Sequence, residues 1–389
     1  MIDVDEARAR LFGAARVLPA EEVSLAQASG RVLAEPVTAG RSQPPFAASA
    51  MDGYAVRLDD LAAGGLALVG ESAAGRRFAG KLGPGEAVRI FTGAPVPDGA
   101  DAILIQEDAR FNGGRLFATD MPARGEYVRP AGLDFAAGDV LLPAGLRLAA
   151  RHIALAGAAG HGTLKVIHRP RVALLATGDE LVAPGEEAGP DQIVASTTAA
   201  VAAMIEAAGG EAIDLGIAPD VRDVIAERAR QGLEAADILV TLGGASVGDH
   251  DLVQPALGDL GISLDFWKVA VRPGKPLMFA ADPLVLGLPG NPVSGLVCTM
   301  LFLAPLVEAM QGISAPGPVT HEAVLGAPLD RNGPRRDHLR ARWQDGRLVP
   351  FPRQDSSMLG VLAQSDALIV RMPNAEPVPA GETCVYLAL

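Results

Sequence analysis

Apolar and polar positions along this chain change rhythm several times, and each change marks a predicted change of architecture. Between residues 3 and 17 the apolar positions Val4, Ala7, Leu11 and Phe12 recur at the helical period. Asp3 and Glu6 have capping-box spacing, so an amphipathic N-terminal helix is expected. Residues 22–40 read as short strands broken by Gly30 and Pro36. From 58 to about 135, strand-like runs at 66–71, 86–91, 101–106 and 115–119 alternate with Gly and Pro turns, and no long helical pattern intervenes. That pattern predicts a small all-β module inserted between two halves of another unit. A helix is predicted at 149–158.

From Arg171 onward strands and helices alternate: strand 171–176, helix 195–208, strand 211–217, helix 220–235 and strand 237–242. Val201, Met204, Ile205 and Ala208 keep the helical period, as do Val221, Val224, Ile225 and Ala229. Such alternation predicts a mostly parallel sheet with helical crossovers. Two more apolar runs, Phe266 to Val271 and Leu284 to Leu288, read as buried strands. Gly290-Asn291-Pro292 is a helix start and Gly312 a stop, which predicts a helix over 291–311. A Pro/Gly-rich linker, 314–319, leads to strand-like runs at 338–343, 347–351, 367–371 and 383–388, read as a small β domain.

The chemistry concentrates in the turns that leave the strands ending at Leu242, Val271 and Leu288. In open α/β sheets the loops at the carboxyl ends of parallel strands converge on one crevice. These turns carry Ser246, Asp249 and Asp251, then Arg272 and Lys275, then Asn291 and Ser294. A Gly-Gly turn alone is a sharp bend with a helix cap; three polar turns in succession exceed what packing requires. Lys275 sits between Gly274 and Pro276, a stiff setting for a point charge at an anion, and Lys268 and Arg272 alternate toward it. Ser294 lies in a first helical turn, where free N–H groups favour an anion. The late arginine cluster (Arg331, Arg335, Arg336, Arg340, Arg342) reads as a solvated face partly neutralised by Asp330 and Asp337. It joins a site only if the last domain folds over the crevice.

The 389 residues suffice for two to four domains, and the formal charge of −13 speaks against general nucleic-acid binding. Two cysteines, Cys298 and Cys384, are too few for a disulfide framework and lie in apolar runs. The N-terminus lacks signal-peptide order, and the apolar run Val293–Val307 is short for a bilayer and contains Pro305. A soluble, cytoplasmic protein with no membrane partner is expected. No Walker lysine motif, dinucleotide fingerprint, HExxH or GxSxG is present.

Taken together, SAMDGYAVR, FTGAPVPDGAD, TGDEL, GGASVGDHD, RPGKP and LPGNPVSG, in this order, resemble the molybdopterin molybdotransferases of the MoeA/gephyrin E-domain type. The resemblance spans nearly the whole chain and implies a multidomain α/β plus β fold. A molybdopterin-binding-type three-layer α/β domain would comprise 1–20 and 169–313. A connecting domain would comprise 21–45 and 136–168, an inserted β domain 46–135, and a C-terminal β domain 318–389. It also implies a homodimer that hydrolyses adenylyl-molybdopterin, places molybdate on the dithiolene and releases AMP with Mg²⁺.

By matching positions, Asp220, Ser246 and Asp251 would serve the pterin–nucleotide crevice, with the metal at Asp220 and Asp251. Lys275, Pro276 and Ser294, with Arg336 or Arg340 and Ser357 from the last domain, would meet the oxyanion. Asp52, Thr92, Asp134 and Glu180 match positions lining the same cleft from the partner subunit. Catalytic parts would fall to Asp52, Glu180, Asp220, Asp251 and Lys275. The adenylyltransferase of the preceding step and the molybdoenzymes are implied partners. The chain departs from the family pattern at Ala47-Ala48, Leu133 and Ala195-Ser196-Thr197. Alternative readings are that adenylyltransferase itself, whose fold resembles residues 171–312 but which has GGTG where this chain has GGAS, and a binding scaffold without turnover.

Overall fold

The computed structural model describes residues 1–244 and 252–389. They form two compact units, one of Met1–Glu21, Gly30–Ala34 and Lys165–Leu389, the other of Glu22–Ser29 and Glu35–Leu164.

In the first unit α1 (Val4–Ala14) starts at the expected cap, Asp3 Oδ1 accepting from Glu6 N at 2.7 Å. Then follow β1 (Arg171–Thr177), α2 (Thr197–Ala207), β2 (Glu211–Ala218), α3 (Arg222–Ala235), β3 (Ile238–Leu242), α4 (Val253–Asp259), β4 (Phe266–Lys268), β5 (Val271–Arg272), β6 (Pro276–Ala281), β7 (Leu284–Leu288) and α5 (Pro292–Cys298). The sheet runs β2-β1-β3-β7-β6-β4, with β2, β1, β3 and β7 parallel and β6 antiparallel to both neighbours.

Alternation along β1 produces the layers, since successive residues of a strand face opposite sides. Val172, Leu174 and Ala176 pack in one buried cluster with α1, α2 and α5, whereas Ala173 and Leu175 pack in another with Ile225 and Ala229 of α3 and Val253 and Ala256 of α4. The result is a three-layer α/β unit. The helical stretch from Pro292 to Met310 is the one helix among the described residues long and apolar enough to cross a membrane, and 72% of it is buried in this core.

Two sequence expectations change here. The run 266–271 is not one strand. Ile2 N donates to Lys268 O at 3.0 Å and Ala270 N to Ile2 O at 2.8 Å, so the chain start wedges in at Val269. Beyond that wedge, β5 leaves for a second sheet, and β6 supplies a strand that the polar-looking RPGKP segment had hidden.

That second sheet is built from β8 (Thr320–Val324), β9 (Arg336–Gln344), β10 (Arg347–Pro350), β11 (Ala367–Arg371) and β12 (Thr383–Ala388), with a short helix α6 (Leu359–Ala363). Its order is β5-β9-β11-β12-β8, and β10 pairs with β9. β5 lies parallel to β9, Val271 opposite Arg336 and Arg272 opposite Asp337. Leu368 and Leu387 of this sheet join the buried cluster of the α/β layers, so the two share a core.

The second unit holds a six-stranded sheet of strands Gly53–Val56, Leu66–Ser72, Glu86–Ile90, Ala102–Ile105, Ala109–Asn112 and Arg115–Ala118, with a short helix, Leu58–Ala63, and a 3-10 turn, Gln106–Asp108, between them. Its four sequence-predicted strands fall within a residue or two of their expected ends.

Candidate active site

At the carboxyl end of the parallel strands, the turns fit because their residues lack side chains. Gly243 (φ +98°) and Gly244 (φ +60°) adopt left-handed backbone. A Cβ on Gly243 would lie 2.8 Å from Thr177 O, and one on Gly290 3.4 Å from Gly243 Cα, so the ends of β1, β3 and β7 close on one another. Ser246, Asp249 and Asp251 lie outside the described residues.

The turn after β1 carries Asp179 and Glu180. Asp179 Oδ1 accepts the backbone N–H of Asp220 at 3.0 Å, and both acids are exposed. The Glu180 carboxylate instead folds back over Gly178. Sequence reasoning chose Glu180 from TGDEL and passed over Asp179; the signal that could have found it is the family-like motif itself, in which both acids stand. A cavity of about 530 Å³ opens beside this turn, lined by Asp179, Leu181, Glu186, Thr198, Asp214 and Gly216. Lys275, Ser294 and Ser357 are not among its walls.

Ser294 is part of α5, and the loops of Lys275 and Ser357 both pack on that helix. Gly274 (φ +115°) lies directly on that helix: a Cβ there would overlap Cys298 Sγ, and the Cys298 thiol points at Gly274 O at 3.7 Å. Burial alone pushes that thiol well above its ordinary pKa, so it acts as an apolar floor. Lys275, the next residue, is exposed, and Pro276 starts β6. Ser294 is buried, 4% exposed, in the first turn of α5. From the C-terminal sheet, Ser356 O accepts Val293 N at 3.2 Å, laying the loop 354–357 on the same turn. Ser357, exposed, gives both its N–H (2.9 Å) and its hydroxyl (2.6 Å) to Asp355 Oδ1, and these bonds, the hydroxyl's foremost, hold the Asp355 carboxyl below the usual range. The loop 354–357 of the last domain therefore reaches the GNPVS turn within this unit.

The arginines need correction. Arg336 forms a two-pronged pair with Asp5 at 2.9 and 2.5 Å. Arg340 is 1% exposed, with Nε on Gln354 Oε1 and Nη1 on the carbonyls of Asp355 and Met358. Arg336 is thus paired with Asp5, its buried Nε without a hydrogen-bond partner, and Arg340 is committed through Nε and Nη1 to the 354–358 loop. Arg272 pairs with Asp337 at 3.1 Å but is half exposed, and burial raises the Asp337 carboxyl despite that partner. The Lys268 ammonium stands 5.5 Å from the Trp267 ring on the edge strand β4.

In the second unit Asp52 and Thr92 come together, Asp52 Oδ1 accepting Thr92 N at 2.7 Å and Thr92 Oγ1 at 2.8 Å. Those two bonds lower the Asp52 carboxyl below its ordinary value, the backbone bond most. Asp134 is exposed, its N–H on Gln43 O at 2.9 Å, and no described hydrogen bond or ion pair ties it to Asp52.

Among the described residues no three or more His, Cys, Asp or Glu side chains gather as a metal cluster. Asp179 and Asp220, exposed and linked by that one backbone bond, are acids at this strand end that could contribute to an open metal site completed by water and substrate phosphate.

Comparison with known proteins finds three family matches along the chain. Residues 2–160 match the MoeA N-terminal region (domain I and II), 173–309 the probable molybdopterin binding domain, and 322–389 the MoeA C-terminal region (domain IV). The chain is 37% identical to a molybdopterin molybdenumtransferase of Nostoc sp. (94% of this chain, 86% of that one). It is 33% identical to one of Haemophilus influenzae (98% and 97%). Two solved structures of MoeA from Pyrococcus horikoshii, 28% and 25% identical, each cover 100% of this chain, which spans 99% and 100% of theirs, with a TM-score of 0.87. The chain belongs to the molybdopterin molybdenumtransferase family.

Proposed function

We propose that this protein is the enzyme that inserts molybdenum during molybdenum-cofactor biosynthesis, converting adenylyl-molybdopterin and molybdate to Mo-molybdopterin and AMP. The observation that carries the reading is the meeting of two loops, bearing Lys275 and Ser357, on the helix α5 that carries Ser294. A tetrahedral dianion is recognised by a fixed cation and hydroxyl donors in a setting that also offers backbone N–H groups. Lys275 supplies the charge, on a backbone stiffened by Pro276 and next to Gly274, which is seated against Cys298; Ser294 is the proposed donor, and Ser357, whose N–H and hydroxyl are both given to Asp355, would donate only by leaving that bond.

Asp179 and Asp220, with Asp251 from the segment outside the described residues, would hold Mg²⁺ through carboxylate oxygens and the anhydride phosphates. When bound, that ion neutralises charge developing on the phosphoryl oxygens as the anhydride breaks. Asp179 keeps the backbone of Asp220 in place through its N–H, which holds the two turns together. Arg272, drawn to Asp337, adds a second positive group on the Lys275 loop, and Lys268 lines the same edge. Asp52, Thr92, Asp134 and Glu180 are proposed to border the cleft in a homodimer whose site both subunits share, in a cytoplasmic setting. The adenylyltransferase would deliver the substrate and molybdoenzymes receive the product.

Purified protein given adenylyl-molybdopterin, Mg²⁺ and molybdate tests this directly. AMP release that requires molybdate is expected; tight substrate binding without AMP would mean a scaffold, and AMP transfer from ATP to molybdopterin would mean the adenylyltransferase.

A further inference from the structure

We propose that Gln354 is a positioning residue for the oxyanion subsite, clamping the loop that carries Ser357 onto the start of α5; this rests on the functional reading above. Its carboxamide is fully used. Oε1 accepts from Arg340 N at 2.9 Å and from Arg340 Nε at 3.1 Å, and Nε2 donates to Arg340 O at 2.9 Å and Phe351 O at 2.8 Å. An amide has two donor hydrogens and two acceptor lone pairs, so no capacity remains for a ligand. Gln354 thus caps the backbone of β9 at Arg340 from the side.

The consequence runs outward along the chain. With Nε held by Gln354, Arg340 directs Nη1 to Asp355 O at 2.8 Å and Met358 O at 3.4 Å, pinning both ends of the Ser356-Ser357 dipeptide. Asp355 orders Ser357 through two bonds, and Ser356 O reaches Val293 N. Pro292 has no N–H, so Val293 offers the first backbone donor of the helix. Ser294, the next residue, is the group proposed to meet molybdate. Buried Arg340, 1% exposed, accordingly acts through the loop and needs no contact with substrate. A charged side chain in such a place keeps its hydrogen bonds or destabilises the fold, which ties the arginine to the glutamine.

Gln354→Met keeps the length and removes all four bonds. Amide exchange at Val293, measured by mass spectrometry on peptides covering 290–298, should then be roughly tenfold faster, the scale of one lost hydrogen bond. The KM for molybdate should rise about tenfold while kcat at saturating molybdate stays within about twofold; a merely structural defect would lower active enzyme and leave KM in place. Gln354→Glu, which keeps the acceptor half, should move both readouts in the same direction by less, and serves if the methionine variant does not fold. Unchanged Val293 exchange in the variants overturns the clamp. Faster exchange with an unaltered molybdate KM overturns its role in the subsite. If the wild-type protein releases no AMP with molybdate, the functional reading falls, and exchange with equilibrium dialysis of molybdate alone still decides both points: equal molybdate affinity of wild type and variant overturns the proposal.

Discussion

Gly274 offers the sharpest perturbation of the Lys275 loop. In Gly274→Ala the new methyl meets two penalties, because φ +115° is a conformation that side chains resist and because Cys298 Sγ occupies the space. The backbone part costs about 1–3 kcal/mol, and forcing a methyl into a filled core costs about 1–3 kcal/mol more. A loss of roughly 2–6 kcal/mol is expected. Cys298→Ala alone removes one buried heavy atom and should cost roughly 1–2 kcal/mol.

The double variant discriminates between the two penalties. With Sγ gone the methyl has room, so only the backbone part survives, and the pair should be less destabilised than the sum by at least about 1 kcal/mol. Urea unfolding followed by tryptophan fluorescence reads this well, since the only two tryptophans, Trp267 and Trp343, both lie in the unit that carries the pair. In the same variants the molybdate KM should rise for Gly274→Ala and recover in the double variant. Additivity within about 0.5 kcal/mol, or a molybdate KM indifferent to the methyl, would refute the account of Cys298 as the floor beneath Lys275.

Removing the cation itself, Lys275→Ala, should raise the molybdate requirement by about 10–100-fold, the value of a charge-assisted hydrogen bond, with adenylyl-molybdopterin affinity retained; isothermal titration with each ligand separates the two. His338 is buried with its pKa pressed down to about 4 by desolvation. A lowered histidine contributes stability that is complete above pH 6.5 and is lost as pH falls toward 4, about 3 kcal/mol in all. In His338→Leu the pH dependence of stability across that window should flatten by this amount, and an unchanged acid limb would count against the assignment. Thr92→Val removes the hydroxyl bond to Asp52 and should raise that carboxyl's pKa, read by carbon NMR of labelled aspartate; an unmoved titration would separate the two residues.

The legible parts of this molecule are those whose cause is local. Alternation along β1, the Asp3 cap and the Asn291-Pro292 start can be read in sequence because each is decided within one turn or one strand. The arginine cluster shows the opposite case. Arg331 pairs with Glu376, Arg336 with Asp5, and Arg342 stacks 5.4 Å from the Phe351 ring, while Asp337 goes to Arg272 and not to a neighbour in its own cluster. None of these partners has any spacing signature, so charges that look alike on paper acquire unlike tasks. The two-residue strand β5 is equally hidden, because the wedge at Val269 comes from Ile2, at the far end of the chain.

That wedge also explains why the C-terminal sheet meets the loop of Lys275, whatever its arginine side chains do. Once β5 is split from β4, its two residues need partners, and β9 supplies them: Arg336 N donates to Ala270 O at 2.9 Å, and Arg272 lies opposite Asp337. Backbone groups left unpaired in such a buried place would cost as much as the bonds contribute, so the pairing is obligatory for the loop to hold its course. Lys275 follows three residues later, with Gly274 flat against Cys298, and has little freedom to move independently of β9. The loop of Gln354 approaches the same helix from the other end of β9. One strand thereby sets the spacing between the proposed cation and the proposed Ser357 hydroxyl. A proline at Arg336 would remove the N–H that holds Ala270 and break the parallel pairing at its first residue. Arg336→Pro should therefore raise the molybdate KM more than Arg336→Lys, which leaves the backbone donor in place. Equal effects of the two substitutions would show that the side chain, and not the strand, fixes the loop.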